Sequence, residues 1–144
     1  MIKRFTGLLF VATLAGTMSL TARAADKDHD KIQGTWKIDK AQMGGMDMPA
    51  DMRDNTKIEF KGDKVIVRRS DRDDPAEFKV DSTKSPKTID VTPKKEGEKT
   101  HAGIYKLDGD TLTICINHDE TRPTKFESPE GTQTMLLVLK RDKK

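Results

Sequence analysis

The stretch GIYKLDGDTLTICI, residues 103–116, decides the fold of this chain. Two runs of alternating apolar and polar residues flank the dipeptide Asp108-Gly109, a pattern typical of a β-hairpin with a two-residue turn. Placing Asp108 and Gly109 at the turn sets Tyr105 opposite Leu112, and directly opposed residues share a face. The more apolar face, which we predict to point inward, carries Tyr105, Leu112, Ile114 and Ile116.

Similar short alternating runs, separated by turn residues, occur before and after this hairpin. Gly62-Asp63, for example, predicts a turn that sets Phe60 opposite Val65 and Ile58 opposite Val67. With the two hairpin strands, about eight strands are predicted, and their spacing is typical of an antiparallel sandwich or barrel. Closing an up-and-down sheet into a barrel removes its exposed edges. The sequence therefore predicts an all-β, up-and-down antiparallel barrel. The other predicted strands are 34–41, 57–60, 65–67, 77–80, 88–91 and 134–139.

Residues 1–24 have the three features of a secretory signal peptide, namely a basic start, a short apolar run and an Ala-x-Ala end. We predict cleavage after Ala24 and export to the periplasm or beyond the cell. A flexible charged tail is predicted over 25–31, followed by one domain over 32–144. The apolar run is too short for a convincing membrane span, so no transmembrane span is predicted after cleavage.

The charge balance argues against a nucleic-acid partner. Removing residues 1–24 takes away three of the 27 Lys and Arg residues and none of the 24 Asp and Glu residues, which leaves 24 of each sign. Nucleic-acid binders usually gather a surplus of Lys and Arg on one face, whereas here the two signs interleave.

Cys115 is the only cysteine, so no internal disulfide is predicted, and a lone cysteine is usually buried. A monomer is expected.

Several segments carry a family resemblance, among them 32–37, 103–113, 122–126 and 136–141. Gly34-Thr35-Trp36 is similar to the Gly-x-Trp that opens the first strand of lipocalins. Together these segments resemble an uncharacterised lipocalin-like domain family that is common in planctomycete bacteria. The resemblance implies a small lipocalin-like barrel and brings no established activity with it.

The leading functional hypothesis is binding of a small apolar or amphipathic molecule inside the barrel. An eight-stranded barrel is either filled by side chains or holds one small ligand. Of seven aromatic residues, Phe5 and Phe10 leave with the signal peptide, and so few rings favour open space inside. Tyr105 and Arg122 would supply polar contacts, although Arg122 has a structural alternative, holding loop carbonyls or packing over Trp36. The predicted cavity residues are Trp36, Ile58, Phe60, Val67, Tyr105, Leu112, Ile114 and Arg122.

A methionine-rich loop supplies the second hypothesis. Residues 43–52 contain four of the seven methionines. Thioethers prefer Cu(I), so these residues are candidate copper ligands in an envelope protein. The competing and favoured interpretation is adaptable apolar cover over the barrel mouth. A third functional hypothesis is an envelope protein that binds another protein. No particular segment of the sequence indicates a surface for such a partner. The candidate copper ligands are Met43, Met46, Met48 and Met52.

No enzymatic activity and no cofactor are predicted. The sequence has no Gly-x-Ser-x-Gly elbow, and Cys115 has no evident base and orienting group nearby in the sequence. Cys115, His118, Asp119 and Glu120 fall close together, but they lack a recognised zinc-ligand spacing. We predict a solvated loop there.

Overall fold

The computed structural model describes residues 27–95, 97–119 and 121–143, so the predicted signal peptide, residues 1–24, lies outside the described residues. Within the described ranges, no helix is long and apolar enough to cross a membrane. The same ranges contain two short helices and nine strands. They are α1 Lys27–Lys31, β1 Gly34–Met43, β2 Met46–Asp47, α2 Ala50–Asp54, β3 Lys57–Lys61, β4 Lys64–Arg68, β5 Asp73–Asp81, β6 Lys87–Pro93, β7 His101–Asp108, β8 Thr111–Asn117 and β9 Thr134–Arg141.

Eight strands form a closed antiparallel barrel. From β3 to β9 each strand pairs with the next along the chain, and β1 pairs with both β3 and β9 to close the ring. The two-residue strand β2 pairs with the end of β1. The predicted all-β, up-and-down barrel is therefore confirmed, and it fits a small lipocalin-like architecture.

The β7–β8 hairpin differs from its predicted register. Its turn is formed by Gly109 and the following residue, with φ of +58° at the glycine, one residue later than predicted. Tyr105 consequently lies opposite Ile114, and the prediction that it faces Leu112 is wrong by two residues. Because side chains alternate with a period of two, the slip leaves every inward-facing residue facing inward.

The inner faces of the strands meet in one buried apolar cluster that runs through the barrel. The β3–β4 hairpin contributes to it in its predicted register, with Phe60 opposite Val65. A smaller cluster lies on the outer face, where Ile104 and Cys115 are covered by Phe126 from the β8–β9 connection. The barrel is thus packed inside and also sheltered outside along β7 and β8.

The flexible tail predicted over 25–31 is corrected for the described residues Lys27–Lys31, which form α1 at one end of the barrel. Asp28 is 6% exposed and accepts hydrogen bonds from Lys87 Nζ at 2.7 Å and Tyr105 Oη at 2.9 Å. Burial alone would raise the pKa of Asp28, but these two hydrogen bonds and the positive charges of Lys87 and Lys31 together outweigh burial and lower it. The charged segment is ordered because strands far along the chain supply its partners.

Candidate functional site

Six of the eight predicted cavity residues lie together inside the barrel, each at most 5% exposed. They belong to the buried cluster that also holds Phe78, so four of the five aromatic rings that follow residue 24 are in the core. The inference that few rings leave open space is not supported, because those rings are packed together in the buried cluster. Val67 is half-buried opposite Ile58. The six are Trp36, Ile58, Phe60, Tyr105, Leu112 and Ile114.

Two of these residues, Trp36 and Tyr105, form contacts at the end of the barrel that α1 closes. The Trp36 indole N–H donates to the Ile32 carbonyl at 2.8 Å, and the Arg141 guanidinium lies 4.3 Å from the Trp36 ring centroid. The Tyr105 hydroxyl, predicted as a ligand contact, donates to Asp28. Tyr105 therefore fastens α1 to the barrel, and Trp36 fastens Ile32, the residue that follows α1.

Arg122 lies on the outside of the barrel, and its prediction as a cavity contact is corrected. Nη1 donates to the Gly103 carbonyl at 2.7 Å, and Nη2 donates to Asp90 Oδ1 at 2.7 Å. The structural alternative, in which this arginine holds carbonyls, is the one observed. A shallow surface cavity of about 560 Å³ lies beside Arg122, and charged groups of both signs line it, including Lys79 and Asp81.

An apolar groove of about 310 Å³ lies at the end of the barrel opposite α1. Its volume falls at the lower end of the range of roughly 300–1,000 Å³ typical of small-molecule sites. Its polar side chains are Gln42 and Asp47, which hydrogen-bond to each other at 2.8 Å. All the methionines of the described ranges line it, and we name it the methionine groove. They are Met43, Met46, Met48, Met52 and Met135.

Five separate positions in the fold bring these side chains together. Met43 ends β1, Met46 lies in β2, Met52 lies in α2, and Met135 comes from β9. Met48 and Met135 pack against the buried cluster, as apolar cover of the mouth would, whereas Met46 and Met52 are 76% and 56% exposed. The groove therefore joins the barrel's inner face to solvent. The sequence pattern missed Met135 because it lies far along the chain from the other four.

A pair of histidines lies near the same end of the barrel, outside the methionine groove. His101 begins β7 and His118 follows β8, and their rings meet edge to face with centroids 4.5 Å apart. His101 Nδ1 and His118 Nε2 are buried and have no hydrogen-bond partner among the described residues. Burial, then the neighbouring His101, lower the pKa of His118, while Glu98 acts in the opposite direction. The prediction of a solvated loop after β8 is wrong at His118, which is half-buried, whereas the next residue, Asp119, is exposed.

We expect protonation of His118 to make the barrel less stable as the pH falls. In the unfolded chain, His118 takes up a proton near its ordinary pKa of about 6.5, whereas the folded chain resists protonation. The unfolded state therefore binds more protons just below that pH, and stability falls there by at most about 1.4 kcal/mol per pH unit. Urea unfolding between about pH 7.5 and pH 5 measures this slope.

The test of this pH dependence is removal of the His118 imidazole. His118→Gln should flatten the slope. The carboxylate of Asp28, whose pKa is lowered, loses its contribution only below about pH 4. An unchanged slope in His118→Gln would contradict the assignment.

Cys115 does not join these histidines. It is fully buried in the outer cluster, and its sulfur donates to the Glu127 carbonyl at 3.3 Å. Burial raises the pKa of the Cys115 thiol, which disfavours the reactive thiolate. Among the residues the structure describes, no three His, Cys, Asp or Glu side chains converge as a metal site.

No family model, curated protein or solved structure matches this chain. The candidate site is therefore judged by its geometry alone. The sequence identified four of the five groove methionines but placed the ligand in the barrel interior, whereas the apolar opening is at the rim. The sequence also missed the His101–His118 pair, because these residues are neighbours only in the observed register, in which Ala102 pairs with Asn117, and not in the predicted one.

Proposed function

We propose that this protein binds a small apolar or amphipathic molecule in the methionine groove. The observation that carries the proposal is the convergence of five methionines on one open apolar cavity. Methionine is unbranched and flexible, so a surface built from it adapts to apolar ligands of different shape. The signal-peptide features of residues 1–24 support action after export, in the periplasm or outside the cell.

The polar residues of the groove define the class of ligand. Asp47 is the charged residue among the groove's described lining, and Gln42 is the neutral polar one. The arginine expected to bind a carboxylate, Arg122, is engaged outside the barrel with Asp90. A negative charge in the groove attracts a cationic head group and repels an anionic one. We therefore propose a neutral or cationic amphiphile rather than a fatty acid.

The buried Trp36 distinguishes binding in the groove from binding inside the barrel. Trp36 lies near the start of β1 and Met43 at its end. The indole is fully buried beneath Ile32 and Arg141. A ligand in the groove should leave Trp36 emission unchanged, whereas a ligand in the interior must displace packed side chains around this ring.

We expect octyl amphiphiles to bind in the order of their head-group charge. Calorimetric titration below the micelle concentration should show octyltrimethylammonium binding most tightly, octyl glucoside next and octyl sulfate most weakly. Replacing Met46 and Met52 together by Gln removes apolar contact area and should weaken octyl glucoside binding by about tenfold. Because both side chains are exposed, these substitutions should leave stability nearly unchanged.

Asp47→Asn is the matched control for the charge effect. It should reduce the preference for octyltrimethylammonium and leave the affinity for octyl glucoside as it was. If none of the three amphiphiles binds, or if Met46→Gln/Met52→Gln binds them as the unmodified protein does, the proposal fails. A change in Trp36 emission on binding would place the ligand in the interior and contradict the groove site.

A further inference from the structure

Three methionines stand in a row across three neighbouring strands at the rim of the barrel. Met43 on β1 pairs with Met46 on β2 and, on its other side, with Met135 on β9. Directly opposed residues of antiparallel strands have Cβ atoms about 4.5–5.5 Å apart and share a face. The backbone register therefore sets three thioether side chains next to one another.

The turn between β1 and β2 fixes this row. Gly44 and Gly45 have φ of +57° and +82°, the positive values that a tight two-residue hairpin turn requires. The Gly45 N–H donates to Ser128 Oγ at 3.1 Å, and the Gly44 N–H donates to the Thr134 carbonyl at 3.3 Å. A Cβ atom at Gly45 would lie 2.7 Å from Glu130 Cγ. The turn is docked against the β8–β9 connection, so the row is held in place before any ligand arrives.

The sulfur-bearing side chains are also accessible from solvent. Met43 is 40% exposed and Met46 is 76% exposed, while Met135 is half-buried behind them. Met48 and Met52 line the same groove and bring two further thioethers to its wall. The carboxylate of Asp47 also lines the groove, and its negative charge favours a cation there.

We propose that Met43, Met46 and Met135 form a three-thioether site for a soft monovalent cation, Cu(I) or Ag(I). Thioether sulfur is a soft, uncharged ligand that selects Cu(I) over the hard divalent cations, which prefer oxygen. A cation would bind to the sulfur atoms, whereas an amphiphile would bind to the apolar surface of the groove. The cation site therefore does not depend on the proposed amphiphile binding. The structure adds Met135 to the copper ligands predicted from the sequence. It also places Met43 between Met46 and Met135.

This chemistry predicts an unusual response to pH. Metal sites made of imidazole or thiolate weaken in acid, because protons compete for the ligands. A thioether carries no proton to be displaced. Affinity for Ag(I) should therefore be the same at about pH 7 and about pH 5, whereas a site that used His101 and His118 would weaken.

The test is a titration of the protein with Ag(I), in competition with a chelator of known affinity and followed by the methionine methyl signals in NMR. We expect the methyl signals of Met43, Met46 and Met135 to shift most. The triple variant Met43→Leu/Met46→Leu/Met135→Leu should lose more than the roughly 10- to 100-fold in affinity typical when a residue supporting a metal ligand is changed. Met and Leu have similar volumes, so the variant should fold and still bind octyl glucoside.

Two control variants complete the experiment. Met48→Leu/Met52→Leu should retain most of the Ag(I) affinity, and Cys115→Ala should retain all of it, because the thiol is fully buried. Binding of Ag(I) by the triple variant as tightly as by the unmodified protein would overturn the proposal, as would loss of binding in Cys115→Ala. Failure of octyl glucoside binding with Ag(I) binding intact would count against the amphiphile proposal alone.

Discussion

Replacing Trp36 by Ala is expected to lower the free energy of unfolding by about 3–5 kcal/mol. The side chain is fully buried, its N–H bonds to the Ile32 carbonyl, and the Arg141 guanidinium packs on its ring. The substitution leaves a cavity and also removes the hydrogen bond to Ile32, the residue that follows α1. Domains of this size are stable by only about 5–15 kcal/mol, so this single change removes a large share. Urea unfolding followed by circular dichroism measures the loss.

Trp36→Phe separates the two contributions to this loss. It keeps an aromatic ring beside Arg141 but removes the indole donor, so we expect it to cost less than Trp36→Ala. Limited proteolysis should show that cleavage near Lys27–Lys31 becomes faster in both variants, because each loses the hydrogen bond to the Ile32 carbonyl, one of several contacts that hold this end of the chain on the barrel. A loss below about 1 kcal/mol for Trp36→Ala would contradict the view that this ring holds the closed end of the barrel.

Gly103→Ala is the second substitution with a large expected effect. A Cβ atom at this position would lie 2.6 Å from Ile116 Cγ1 and 2.7 Å from the Cys115 carbonyl oxygen. The second contact is with backbone, which cannot rotate away, so β7 and β8 must move apart. Overpacking of this kind costs about 1–3 kcal/mol. The shift should also weaken the hydrogen bond from Arg122 to the Gly103 carbonyl.

Gly131→Ala provides the comparison, because a Cβ atom there meets no atom within 4 Å and only its positive φ is strained. The steric cause at Gly103 can be isolated by removing the neighbouring side chain. The double variant Gly103→Ala/Ile116→Ala should be less destabilised than the sum of its two single variants. Strict additivity in urea unfolding would show that the contact with Ile116 is not responsible.

The features that the sequence predicted correctly are those that repeat locally. Inward-facing residues such as Leu112 and Ile114 could be recognised because alternation along a strand has a period of two. Even the two-residue error in the β7–β8 register did not turn any residue to the wrong face. The all-β class and the number of barrel strands depend on the same local signal.

The features that the sequence missed depend on residues distant in the chain. Asp28 looked like part of a solvated tail because its partner Tyr105 lies 77 residues away. Met135 carries no local sign that it stands beside Met43, since only closure of the barrel brings β9 to β1. Arg122 was predicted as a ligand contact from the sequence, but the fold places Asp90 beside it, and the two side chains form an ion pair. The position of the candidate ligand site likewise depends on where the fold places the few aromatic rings. Because most of them fill the interior, the open apolar space lies at the rim.

Closure of the barrel by β1 and β9 has a consequence for the order of folding. The contacts that join these strands, such as Trp36 with Arg141, link the two ends of the domain, and contacts of such long sequence separation form slowly. Until β9 arrives, β1 and β8 each present a row of unpaired backbone N–H and C=O groups, which readily recruit strands from other chains. A newly made chain therefore has two unpaired strand edges until Thr134–Arg141 pairs with them. During this interval the chain is most prone to aggregation.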